Sequence, residues 1–179
     1  MTPLQTLHDL LDHTSIWQRS ITLPRGAPLT LPGITDRNLY RVDLGTLVST
    51  LEVAGTEQCC RFGYAGDYVM SLDSYITNQP TAYGIYALRR CEVAVASFGA
   101  LQDFLAQCAG RSQIWEEAKG GLILSFLERE IDLLTPSPEE RYRRVLDRSP
   151  RLFQEVPAKY IANYLRMTPE TLSRLKKEA

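Results

Sequence analysis

The chain has 179 residues, 44% hydrophobic and 23% charged, with a formal net charge of −1. That is a globular composition, enough for one good core or for one core plus a small appended domain. No run of about 18 apolar residues occurs, which excludes a membrane-spanning helix. The start MTPLQTLHDLLDHTSIW has neither a basic opening nor a small-residue cleavage site, so no secretory signal is expected and the cytoplasm is the expected location.

In chain order, residues Leu4–Leu11 predict a short amphipathic helix. From Ser20 to about Val95, short apolar runs alternate with glycines at 26, 33, 45, 55, 63, 66 and 84. The runs are ITL (21–23), NLYRVDL (38–44), TLVSTLEV (46–53), QCCRFGY (58–64), YGIYAL (83–88) and CEVAVAS (91–97). β-Branched and aromatic runs with turns at close spacing predict an all-β sandwich or barrel, and a jelly roll solves its edge-strand problem. SLDSYITNQP (71–80) is too long for a hairpin turn and predicts a helical turn inside the roll. The cysteines Cys59, Cys60, Cys91 and Cys108 form no C-x-x-C pair, and buried, reduced thiols are expected.

After Ser97 the glycine punctuation thins. FGALQDFLAQCA (98–109) predicts a helix, and residues 111–134 predict a long one. Leu124, Leu127, Ile131 and Leu134 recur at spacings of three and four, an apolar seam. The seam packs either on the chain's own β-domain or on a second copy across a two-fold axis. Gly120-Gly121 costs about 2 kcal/mol against alanine inside a helix and marks a bend or a close helix approach.

TPSPEE (135–140) then breaks the chain. Ser137 is a good cap, Pro138 suits the first helical position, and Glu139 and Glu140 meet the positive helix end. Ser149-Pro150 and Pro157 restart the chain, and Thr168-Pro169-Glu170 repeats the same start signal. The last ~45 residues therefore predict four short helices. The fold class is α+β, divided into a sheet-forming domain over residues 1–110, a long helix over 111–135 and a helical domain over 136–179. Residues 141–179 carry ten bases against four acids, +6, and residues 1–140 ten bases against seventeen acids, −7. A basic C-terminal piece on an acidic body points to a polyanionic partner.

In YIANYLRMTPETLSRL, Ile161, Leu165, Leu172 and Leu175 can close one small core, and Ala162 is small where two helices cross. That pattern fits a helix-turn-helix whose second helix presents polar residues to the DNA major groove. The exposed set is Thr168, Glu170, Thr171, Ser173, Arg174 and Lys177. Arg174 can grip guanine O6 and N7, Glu170 can accept from cytosine N4, and Thr168 and the lysines suit phosphates.

VPAKYIANYLRMTPETLSR resembles the C-terminal helix-turn-helix of the bacterial cyclic-AMP-receptor/fumarate-nitrate-regulator (Crp/Fnr) family, in the branch reading P-x-x-x-I-A-x-x-L-G-x-T-x-E-T-L-S-R. EERYRRVLDRSPRLFQEVP resembles that branch's linker helices, and the segments NLYRVDLGTLVS and FGYAGDYVMSLDSYITNQPTAYGIYALRRCEVAVAS resemble its cyclic-nucleotide-binding-type β-roll. The resemblance covers about Ser20 to Lys177. It implies a homodimer held by helix 111–134, a sensor domain in the β-roll, base reading by Glu170 and Arg174, and double-stranded DNA with a palindromic site as partner. It also places RNA polymerase among the expected partners.

Three departures qualify it. Arg166 stands where the family has a turn glycine, and a left-handed arginine costs roughly 1 kcal/mol. The sequence ends two residues after Lys177, so no β-hairpin wing is expected. The ligand site also differs. Nucleotide-binding members carry Gly-Glu, a short helix, then Arg-Ser/Thr-Ala. Here the arginine position is Thr81, followed by Ala82 and Tyr83; the glutamate position falls near Ser71; and Gly66-Asp67 replaces Gly-Glu only with a longer spacing. No Arg or Lys lies between Arg61 and Arg89, so nothing local pairs with a phosphate. A different small-molecule effector, or none, is expected instead of a cyclic nucleotide, with no cofactor and no metal.

The only histidines, His8 and His13, lie near the start, and no G-x-S-x-G, P-loop, H-E-x-x-H or zinc-type spacing occurs. No enzyme activity is expected. The rival to a DNA-binding regulator is a sensory or scaffold protein that has lost DNA binding, which Arg166 and the missing wing favour.

Overall fold

A computed structural model describes residues 3–12 and 14–178; His13 lies outside the described residues. Helix α1 (Pro3–Leu11) precedes eight strands: β1 (Arg19–Leu23), β2 (Pro28–Thr30), β3 (Leu39–Leu44), β4 (Thr46–Val53), β5 (Thr56–Tyr64), β6 (Tyr68–Val69), β7 (Tyr83–Ala87) and β8 (Cys91–Ala96). Helix α2 (Leu72–Thr77) sits between β6 and β7, where a helical turn is predicted. Then follow α3 (Phe98–Ala106), α4 (Ala109–Leu134), α5 (Pro138–Arg148), α6 (Pro150–Glu155), α7 (Ala158–Tyr164) and α8 (Pro169–Glu178). Among the described residues no helix is long and apolar enough to cross a membrane.

The strands form two antiparallel sheets, ordered β1-β8-β3-β6 and β2-β7-β4-β5. Side chains alternate between faces, and Val42, Leu47, Ile85, Val93 and Val95 meet in the core between the sheets. Gly45 turns β3 into β4 at φ +95°, and a Cβ there would lie 2.6 Å from Cys91 Sγ. On β4, Leu47 enters the inter-sheet core while its neighbour Val48 faces outward and is nonetheless buried. What covers Val48 is the helical head α5–α8. Tyr142, Val145, Leu152, Ile161, Leu165 and Leu172 pack together with Val48, Cys59 and Leu88 in one core.

The head starts where local chemistry says it should. Ser137 Oγ accepts from the Glu140 amide at 3.2 Å, with Pro138 first in α5. Thr168 Oγ1 accepts from the Thr171 amide at 3.2 Å, with Pro169 first in α8.

Helix α4 has 26 residues, about 39 Å. Its first half packs on α1 and α3 through Trp115, Leu7, Leu11, Leu101, Phe104 and Leu105. Its second half leaves this packing. Helix α4 continues through Gly120-Gly121, and a Cβ on either meets nothing within 4 Å, so of the two expectations there the close helix approach is absent.

Candidate functional site

The first candidate surface is the α7–α8 pair. The turn between them places Arg166 at φ +53°, the left-handed conformation a glycine would take cheaply. Arg141 holds this turn together: buried, it donates from Nε to Leu165 O (2.6 Å), from Nη1 to Thr135 O (2.5 Å) and from Nη2 to Arg166 O (3.2 Å). Leu165 and Leu172 are fully buried beneath the pair. Thr168, Glu170, Ser173, Arg174 and Lys177 are exposed, and Thr171 is half-buried. Glu170, Ser173, Arg174 and Lys177, with Pro169, line one shallow depression. Thr168 lies outside it, its hydroxyl spent on capping α8. The Glu170 carboxyl is held below its ordinary pKa by its own backbone amide and then by the Thr168 hydroxyl.

The basic excess of residues 141–179 needs correction. Arg144 and Arg148 pair with Glu128 and with the fully buried Asp132, and Arg143 pairs with Glu139. These acids lie just before residue 141, so dividing the chain there separated the partners. Arg151 bonds Glu155 and Ala65 O, and Arg141 is spent on carbonyls. Among the residues at the depression, Arg174 and Lys177 carry the positive charge.

The head is also tied to the β-domain. Strand β5 is an edge, and Asn163 of α7 treats it as a neighbouring strand would. Its Oδ1 accepts from Cys59 N (2.6 Å) and its Nδ2 donates to Glu57 O (3.0 Å). Arg166 bonds Gln58, Arg89 donates to Glu155 O, and Phe62 meets Tyr164 edge to face at 5.4 Å between centroids. From α4, Arg129 stacks over Tyr164 at 3.7 Å and donates to its carbonyl, its Nη1 left without a partner.

The second candidate is a cavity of about 790 Å³ between the β-domain and α4. Leu47, Phe62, Val69, Ile85, Leu122 and Phe126 give it mainly apolar walls. Of the six positions expected to line a ligand site, Asp67, Ser71 and Tyr83 do so; Gly66, Thr81 and Ala82 do not. Thr81 and Ala82 are drawn aside by Asp73: the Thr81 hydroxyl donates to Asp73 Oδ1 (2.7 Å) and the Ala82 amide to Oδ2 (2.9 Å). Gly66 serves the turn after β5, at φ +93°, with its amide on Val42 O (2.8 Å). Asp67 accepts from Tyr64 N at 2.9 Å, and burial raises its pKa.

The cation of this cavity is Arg61 on β5, which the spacing argument missed because it follows the segment around β7. Its guanidinium lies 3.8 Å from the Phe126 ring centroid, and its Nη2 donates to Ser125 Oγ at 2.9 Å. Its Nε is buried without a partner. Burial lowers its pKa, with Arg129 adding in the same direction. Signals for its role existed only in three dimensions.

The third surface is the seam. Leu124, Leu127, Ile131 and Leu134 are 64%, 50%, 46% and 73% exposed, with Ile123 and Leu133 beside them. Packing of the seam on the chain's own β-domain is thus excluded.

The chain matches no protein-family model and no curated protein. Its architecture, however, is found among solved structures. FixK2 from Bradyrhizobium japonicum shares 18% identity at a TM-score of 0.72, over 89% of this chain and 83% of that one. A CooA variant from Carboxydothermus hydrogenoformans shares 17% at 0.74, over 99% and 84%. CLP from Xanthomonas campestris, a c-di-GMP-responsive global regulator, shares 17% at 0.65, over 89% and 85%. These neighbours are Crp/Fnr regulators with a cyclic-nucleotide-binding fold. The chain has their fold. At this identity the likeness fixes architecture rather than residues, and the three surfaces stand on their own geometry.

Proposed function

We propose that the chain is a homodimeric, cytoplasmic, DNA-binding transcription regulator of the Crp/Fnr type, not an enzyme. The strand order supports reading the β-domain as a jelly-roll sensor, and α7–α8 as its helix-turn-helix. The observation that carries the reading is the joint exposure of Glu170, Ser173, Arg174 and Lys177 at one depression on α8. These groups suit base edges and phosphates. The exposed seam on α4 supplies the surface for a second copy, which sets two α8 helices for a palindrome with half-sites about one helical turn apart. A signal at the cavity shifts α4 and so the spacing of the two heads, a population shift between two dimer geometries. RNA polymerase completes the reading as a further partner.

The test is selection of bound sequences from a random DNA pool at two salt concentrations. An enriched palindrome whose affinity falls steeply with salt is expected, since bound phosphates release counterions. A second reading, a sensory scaffold without DNA binding, is favoured by one observation: Arg166 and much of the head's basic charge are committed internally. No enrichment at low salt would select that reading.

A further inference from the structure

The cavity between β5 and α4 holds a charge with nothing to match it. Among the described residues Arg61 forms no ion pair; its partners are a serine hydroxyl and an aromatic face. The two carboxylates in the wall are occupied elsewhere. Asp73 accepts from the Thr81 hydroxyl, the Ala82 amide and the Ser74 amide (2.8 Å), and Asp67 accepts from the Tyr64 amide. Burial favours the neutral form of Asp67. Ser71, another lining residue, is only 2% exposed, and its Oγ is buried without a partner. Arg61, a guanidinium in the wall with no carboxylate paired to it, marks where a ligand's polar end belongs.

The rest of the wall sets the ligand's body. Leu47, Phe62, Val69, Ile85, Leu122 and Phe126 offer carbon, and the volume falls in the usual range for small-molecule sites. A sugar or a nucleobase would bury hydroxyls and ring nitrogens against these walls without hydrogen bonds, which is costly. An alkyl or aryl body would not.

We propose that this cavity binds a lipophilic monocarboxylate, with the carboxylate on Arg61 and the apolar body along the inner face of α4. The proposal rests on reading the β-domain as a sensor and names the class of molecule it senses. A carboxylate takes two hydrogen bonds from the Nε–Nη2 edge of a guanidinium. Here Nε is unpartnered but closed off from the cavity and Nη2 is lent to Ser125, so the acid draws the guanidinium toward the cavity, displaces Ser125 and loosens the β5–α4 tie. It also screens Arg61 from Arg129, whose Nη2 holds Tyr164 O of α7. The cavity thereby gains a route to the head.

The experiment titrates the full chain, below the micellar range, with decanoate, with decan-1-ol and with cyclic AMP, read by calorimetry and thermal shift. One decanoate per chain should bind at least ten-fold more tightly than decan-1-ol and more tightly than cyclic AMP. Arg61→Gln should reduce decanoate to the affinity of the alcohol. Equal affinities for acid and alcohol, no saturable binding, or undiminished decanoate binding by Arg61→Gln would overturn the proposal. Should Arg61→Gln not fold, the comparison of acid and alcohol on the unaltered protein decides alone. DNA selection on the same preparation separates the two claims. A palindrome without decanoate binding sinks only the ligand class; decanoate binding without DNA binding sinks only the regulator.

Discussion

Arg174 sits free on the first turns of α8, beside Glu170 and Ser173. Replacing it with alanine should cost about 1–3 kcal/mol of DNA binding and relax preference at one base pair, measured by anisotropy on the selected palindrome and its single-base variants. An equal loss on every sequence would make it a phosphate contact. Asp67 carries the clearest pH prediction. Burial raises its pKa above the unfolded value of about 3.9. The folded state then binds the proton more tightly, so this residue's contribution is complete below about pH 4 and is lost as pH rises through the folded pKa. Asp67→Asn keeps the acceptor for Tyr64 N–H and removes the charge. It should raise Tm at pH 7, with the gain gone at pH 4; a fall at pH 7 would contradict the assignment. At this scale the sequence was legible where chemistry is local. Arg166 in the left-handed turn was readable from a single aligned position. Arg61 was not, because β5 meets α4 only through the folded chain.

Among the elements, the caps at Ser137 and Thr168 announced α5 and α8, since the capping bonds span three residues. Strands β2 and β6 went unread: with three and two residues, they exist by virtue of their partners β7 and β3. The docking of the head was equally silent in the sequence, because Val48 alternates outward like a solvent-facing position. Asn163 is its hinge pin. Asn163→Ala leaves the Cys59 amide and the Glu57 carbonyl without their partner, at a cost of about 1–3 kcal/mol. For a chain of this size each kcal/mol lowers Tm by about 2–4 °C, readable by calorimetry. An unchanged Tm would mean that the apolar core alone seats the head.

At the scale of the molecule, the second half of α4 is an apolar surface without a cover, with seven large hydrophobic residues from Ile123 to Leu134 exposed. The 3-4 spacing of Leu124, Leu127, Ile131 and Leu134 was plain in the sequence; that nothing in the same chain covers it was not. For the proposed dimer, Leu127→Asp with Ile131→Asp should give a monomer at micromolar concentration in sedimentation and weaken palindrome binding more than binding to a single half-site. A dimer that survives both changes would move the interface off α4.

The Asn163 clamp has a kinetic consequence as well. Because the Cys59 amide is satisfied by a side chain of the head and not by another strand, its hydrogen exchanges with solvent only when the head lifts away. Its protection factor is therefore a direct gauge of how often the head detaches, readable in a single amide without label or ligand, while amides paired within β4 and β7 report the intact sheet as an internal standard.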